Sequence, residues 1–329
     1  MACTGTPVAS TLASMSRKKG PYPFSVLRRK FVWGLGLVSV IVCASARTPA
    51  AESTPGWLDR LNFYRGTAAL PPVAEDQALS APELEHARYM VMNSVVRHSE
   101  KAHDSWATPA GAASAAVSNL AGSSWADEPD SWAIDTWMQA PFHALGILDP
   151  GLRQVGFGIF RAQHGTIQTA AGLDVIRGRA TPPASAAFPI VWPANGAFVP
   201  LTTHRDEYPS PLTSCPGYRA PTGLPLIVQI GTGGTTPHVT GTWIAEGERL
   251  LEHCVFDEGS YRNRDATAER LGRGILAARN AIVLIPREAL RAGAVYRAVV
   301  EVNGRLIDWT FGITPLTRLD TAPASRPPS

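Results

Sequence analysis

Apolar positions follow two periods along this chain, helical in its first half and alternating after it. Trp57, Leu58, Leu61 and Tyr64 or Arg65 share a helical face and predict a first helix over residues 56–65. Ala69-Leu-Pro-Pro-Val73 then forces an extended connection, because proline lacks an N–H and clashes inside a helix. Leu84, Ala87, Met90 or Val91, and Ser94 or Val95 trace the face of a second helix. Its start is read at Ser80, which stands at capping-box spacing from Glu83, with Pro82 tolerated in the first turn. His86, beside Met90, reads as a packing residue, and Arg97-His98 falls at or just past the helix end. Residues 103–130, rich in Gly, Ala and Ser, predict a long irregular crossing that contains Ser118-Asn-Leu-Ala-Gly122. A third helix is expected over residues 129–138, with Ala140-Pro-Phe-His143 stopping it.

Period two then takes over. Val155, Phe157 and Ile159 mark a strand, His164-Gly165 a turn, and residues 167–175 a second strand. Helices followed by an antiparallel pair predict a layered α+β domain over residues 55–178. Residues 179–200 are rich in Ala and Pro and read as a linker. Beyond it come short strands near residues 224–230, 238–244, 250–256, 281–285, 295–302 and 306–313. Asn303-Gly304 between the last two is a strong hairpin signal. Leu290-Arg-Ala-Gly-Ala-Val-Tyr296 has the pattern of a tyrosine corner, so residues 201–315 are expected to form an all-β immunoglobulin-like sandwich. Residues 316–329 read as an unstructured tail.

Charge changes the picture once the first 46 residues are set aside. They hold six basic residues and no acid, so the formal +3 of the whole chain becomes −3 without them. A mildly acidic remainder has no basic stripe for phosphates, which argues against nucleic acid as a partner. Arg28-Arg-Lys30, the apolar run of residues 31–43 and Ala44-Ser-Ala46 follow the order of a secretory signal peptide, so a secreted or periplasmic protein is expected. The run is short for a membrane span, which leaves an uncleaved anchor as the lesser reading. Cys3 and Cys43 fall inside this leader. Cys215 and Cys254 remain, an even pair read as a disulfide in an oxidising compartment.

Several short motifs stand in a fixed order: Leu61-Asn-Phe-Tyr-Arg65, His86-Ala-Arg-Tyr-Met90, His98-Ser99, Asn119-Leu-Ala-Gly122, Trp137-Met-Gln-Ala-Pro-Phe-His143 and Val155-Gly-Phe-Gly158. In that order they resemble the CAP superfamily, the secreted cysteine-rich, antigen 5 and pathogenesis-related proteins, in a bacterial form. The resemblance covers residues 55–178 and does not extend to the sandwich. It implies an α-β-α layered fold whose central cavity is walled by two histidines and two glutamates. His98 matches the first histidine and His143 is the candidate for the second. Where the family has Gly-Glu-Asn this chain has Val117-Ser118-Asn119, so a serine replaces a carboxylate. Asp135 and Glu100 are substitutes by proximity for the acids.

The cavity expected from these residues is therefore built of His98, His143, Asp135, Glu100, Ser118 and Asn119. Its histidines are candidate ligands for a divalent metal such as zinc, or a general acid/base pair. There is no His-Glu-x-x-His and no Gly-x-Ser-x-Gly, and Gly231-Thr-Gly-Gly-Thr-Thr236 has no Walker lysine. The first reading is a non-catalytic extracytoplasmic binding module for a small molecule or a cell-envelope partner. One alternative is a metal-assisted hydrolase of peptide or envelope polymer, with Asp135 or Glu100 activating water. The other is a lipid- or sterol-binding protein, with Trp132, Trp137 and Met138 along a groove.

Overall fold

Glycine sets how closely one helix, residues 77–92, approaches the first sheet. The computed structural model describes residues 56–182 and 187–315. The expected signal peptide, tail and residues 183–186 of the expected linker lie outside the described residues. Among them the fold is α+β, with six α-helices and three sheets.

The chain opens with α1 (Gly56–Gly66), the short β1 (Ala74–Glu75) and α2 (Gln77–Met92). Next come α3 (Pro109–Ala115), β2 (Ser118–Ser123), α4 (Trp132–Met138), α5 (Pro141–Ile147), β3 (Gln154–Arg161) and β4 (Thr169–Asp174). The sheet runs β1-β3-β4-β2, parallel at β1 and antiparallel elsewhere. Register places Leu120, Gly172 and Gly158 side by side on one face and Asn119, Leu173 and Phe157 on the other. A Cβ on Gly158 would overlap the backbone of Glu83 and Leu84, so this face admits α2 only because glycine is there. The opposite face, with Val155, Phe157 and Leu173, buries Trp57 and Leu61 of α1, Ile134 and Trp137 of α4 and Leu145 of α5 in one cluster. Helices cover both faces of the sheet, which gives the layered arrangement.

Several local expectations are corrected. The helix α2 begins a turn before Ser80, because Asp76 is the extended residue whose carboxylate accepts from the Ala78 amide. Ser80 instead donates to Glu75 and accepts from the Phe157 amide, tying α2 to β3. The crossing at residues 103–130 contains α3, capped by Thr108, and β2. Pro141 does not stop a helix but starts α5 at its first turn, where the missing N–H costs nothing.

Residues 187–200, within the expected linker, contribute β5 (Ile190–Trp192) and β6 (Phe198–Val199) to two further sheets. A 3₁₀ turn (Pro211–Ser214) precedes β7 (Leu226–Gln229), β8 (Val239–Glu246), β9 (Arg249–Leu250) and β10 (His253–Phe256). Then follow α6 (Ala266–Ala277), β11 (Ala281–Pro286), β12 (Val295–Val302) and β13 (Arg305–Ile313). Residues 201–315 are therefore not all-β as expected: the Asp265 carboxylate, accepting from the Thr267 and Ala268 amides, starts a helix among the strands. One sheet is β10-β11-β7-β5 and the other β6-β13-β12-β8-β9. Alternation on β12 and β13 buries Tyr296, Ala298, Val300, Trp309 and Phe311, which join Leu226 and Val228 of β7 in one core cluster. Asn303 and Gly304, with φ of 51° and 69°, make the β12–β13 hairpin. The Tyr296 hydroxyl accepts from the Arg291 amide at 2.8 Å, closing a corner before β12. Cys215 and Cys254 are disulfide-bonded.

The layered part and the two sheets share this core. Trp192 is buried and its Nε1 donates to Thr67 Oγ1 at 3.0 Å, while Gln229 Nε2 donates to the Leu148 carbonyl at 3.0 Å. Arg279, just after α6, pairs with Asp149 at 2.8 Å, and Phe142 of α5 packs edge-on against Tyr261. The described residues form one compact unit.

Candidate functional site

His98 lies beyond the C-terminal end of α2, where Ser94 with φ of 47° has already turned the chain out of the helix. Its Nδ1 donates to the Ala115 carbonyl at the end of α3, 2.8 Å away. His143 stands in the first turn of α5, and its Nδ1 lies 2.6 Å from the Glu207 carboxylate. A carbonyl and a carboxylate only accept, so both rings carry the proton on Nδ1 and leave Nε2 without a protein partner.

The two rings line a cleft of about 420 Å³ together with Ser118 and Asn119. The rest of its wall is mainly apolar: Val117, Phe142, Val175 and Ile176 come from the layered part, Leu271 and Ile275 from α6. A second cleft of about 500 Å³ meets the first at the same two histidines and is lined by Arg97, Trp137 and residues 205–208. The Asn119 side chain donates to the His143 carbonyl at 3.1 Å, fixing β2 to α5. Partial desolvation, against the opposing pull of the Ala115 carbonyl, holds the His98 pKa below the ordinary imidazole value, and His143 and His86 lower it further. His98 therefore offers a neutral ring with an Nε2 lone pair at neutral pH.

The two carboxylates expected by proximity are elsewhere. Asp135 is held by Arg60 at 2.6 Å and by the Tyr64 hydroxyl at 2.8 Å, on the α1 side of α4. Glu100 is buried against His86 at 2.8 Å and accepts from the Thr108 amide at 2.7 Å. Neither lines the cleft. Trp137 and Met138 are core residues, and the Trp137 indole donates to the Leu120 carbonyl.

Two other acids reach this region. Glu83 of α2 lies fully buried behind Ser118 and accepts hydrogen bonds from the Ser114 and Ser118 hydroxyls. Its Oε2 has no partner, and burial raises its pKa to about 7, against the lowering effect of the two serines. A carboxyl thus stands behind the serine that replaces the family glutamate, supplied from a different element. Glu207, from the segment after β6, is the partner of His143, with its side chain only 1% exposed. Glu83 had one sequence signal, its place with Ala87 and Met90 on the apolar face of α2. Glu207 had none. Among the described residues no group of three or more His, Cys, Asp or Glu is placed to hold a metal ion.

With this geometry in view, residues 58–170 match the family model of the cysteine-rich secretory protein family, CAP. The match supports assigning this part of the chain to the CAP superfamily. No curated protein matches the chain.

Proposed function

We propose that this is an extracytoplasmic binding module, of bacterial CAP type, whose cleft takes a small ligand with an apolar body and a hydrogen-bond donor at its polar end. The observation that carries the reading is the pair of histidines lining a mainly apolar cleft, each with its Nδ1 engaged and its Nε2 left without a protein partner, an acceptor whenever the ring is neutral. The Cys215–Cys254 disulfide, the CAP match and the want of any helix among the described residues long and apolar enough to cross a membrane fit a secreted protein. We read the two C-terminal sheets as an immunoglobulin-like sandwich, a reading supported by the Tyr296 corner. It furnishes part of the cleft wall through α6 as well as an outer surface for an envelope partner.

The test compares dodecylamine with dodecanoate by calorimetry. The amine is expected to bind wild type, and the carboxylate, which presents only acceptors to two lone pairs, to bind at least tenfold more weakly. His98→Ala combined with His143→Ala should abolish the preference. Binding of both probes with equal affinity would replace this reading by non-selective lipid capture.

A second reading follows from the same two atoms. Two imidazoles fit half of the four protein positions of a tight zinc site, so a divalent ion would be held weakly, with water completing its shell. Metal-assisted hydrolysis also needs a carboxylate beside the attacking water. Asp135 and Glu100 are committed to Arg60 and His86. The binding reading is therefore favoured over the hydrolase.

A further inference from the structure

The chain between β6 and β7 leaves the sheets and returns to them as a strap. Its base is closed by the Thr203–Gly223 bridge and by hydrogen bonds from the His204 amide to the Thr222 carbonyl and from the Leu224 amide to the Thr202 carbonyl. One limb docks on the α4–α5 corner, where the Arg205 amide donates to the Gln139 carbonyl at 3.1 Å. The other is pinned to β10 by Cys215–Cys254. Between these anchors the strap delivers Glu207 to α5. Three donors converge on that carboxylate: the Phe142 amide at 2.9 Å, the His143 amide at 3.1 Å and His143 Nδ1 at 2.6 Å.

We infer that Glu207 is a positioning residue for the cleft, through which the C-terminal part of the chain fixes the tautomer and orientation of His143. The two amides belong to the first turn of α5, where they have no helical acceptor, so the carboxylate is held in place before it meets the ring. A carboxylate so held accepts only, which forces the Nδ1–H form of a neutral His143 and leaves its Nε2 as the free acceptor of a ring that lines the same clefts as His98. His98 obtains the same tautomer from a carbonyl within the layered part. The matched pair of acceptors is thus assembled from both parts of the chain. This inference deepens the binding reading and rests on it for its purpose, but not for its test.

The test is the imidazole nitrogen spectrum of the full chain, taken without ligand at a pH where the rings are neutral. Wild type should show His143 and His98 both as Nδ1–H tautomers. In Glu207→Ala, His143 should shift towards the Nε2–H form that a free imidazole favours, while His98 stays unchanged as an internal reference. Glu207→Gln, which keeps an acceptor oxygen, should restore most of the wild-type pattern at His143. Dodecylamine affinity in Glu207→Ala should fall roughly tenfold, as for loss of an orienting partner behind a ligating histidine. An Nε2–H His143 in wild type, or a His143 spectrum unchanged by Glu207→Ala, would overturn the inference. The wild-type spectrum decides even if the alanine variant fails to fold. A failed ligand screen beside the expected tautomers would sink the binding reading and leave Glu207 in its role.

Discussion

Glu83 illustrates how one side chain couples the cleft floor to solution pH. Its folded pKa of about 7 lies above the ordinary carboxyl value, because burial penalises the charged form more than the two serines favour it. A raised carboxyl contributes most to stability when protonated. Stability should therefore decline as pH rises from about 4.5 to about 7 and level off above, by about 3 kcal/mol for a displacement of this size. Glu83→Gln should remove that decline, which urea unfolding at a series of pH values will show; parallel curves for the two proteins would mean that the carboxyl ionises freely in the fold. The neighbouring Gly158→Ala should cost about 3 kcal/mol or more, since its added methyl meets helix backbone rather than a side chain that yields. The Val155-Gly-Phe-Gly158 motif was legible as a strand, but not the close approach of α2 at Gly158. Glu83 was harder to read, because its spacing from Ser80 offers a local capping explanation that conceals its burial. Glu207 leaves no local trace at all: its role exists only through a contact 64 residues away in sequence.

At the scale of elements, what could be read depended on whether local chemistry and tertiary packing agreed. Alternating strands such as β3, β12 and β13, and the Asn303-Gly304 hairpin between the last two, stand close to where their patterns put them. The elements that escaped are those with weak or ambiguous local signals. The helix α3 is mostly Ala and Gly with no amphipathic stripe, and Pro141 at α5 reads equally as a stop or a first turn. The strap is of the same kind, a proline-rich stretch ordered by what it touches. Its disulfide spans 39 residues, and closing a loop of that size stabilises by about 4 kcal/mol in the chain-entropy account. Cys215→Ser with Cys254→Ser should lower the unfolding free energy by up to that amount, measured in guanidinium. A loss near zero would mean that the strap's hydrogen bonds to the α4–α5 corner and to its own base hold it without the bond.

For the molecule as a whole, an Ala/Pro stretch suggested two bodies on a tether, whereas β5 and β6 turn that stretch into sheet. Trp192 of β5 is nearly fully buried and bonded to Thr67, so the layered part and the two sheets share side chains. A scanning calorimeter should accordingly record one cooperative transition for residues 52–329; two resolved peaks would show that the common core does not couple them. The cleft adds a consequence for descent. Its walls come from α5 on one side and α6 on the other, and its second histidine is held by a carboxylate 64 residues downstream. A recombination event between residues 178 and 201 would hand on the CAP segment with its two histidines but without Glu207. If Glu207 orients His143 as inferred, exchange of either half would leave that ring without its partner.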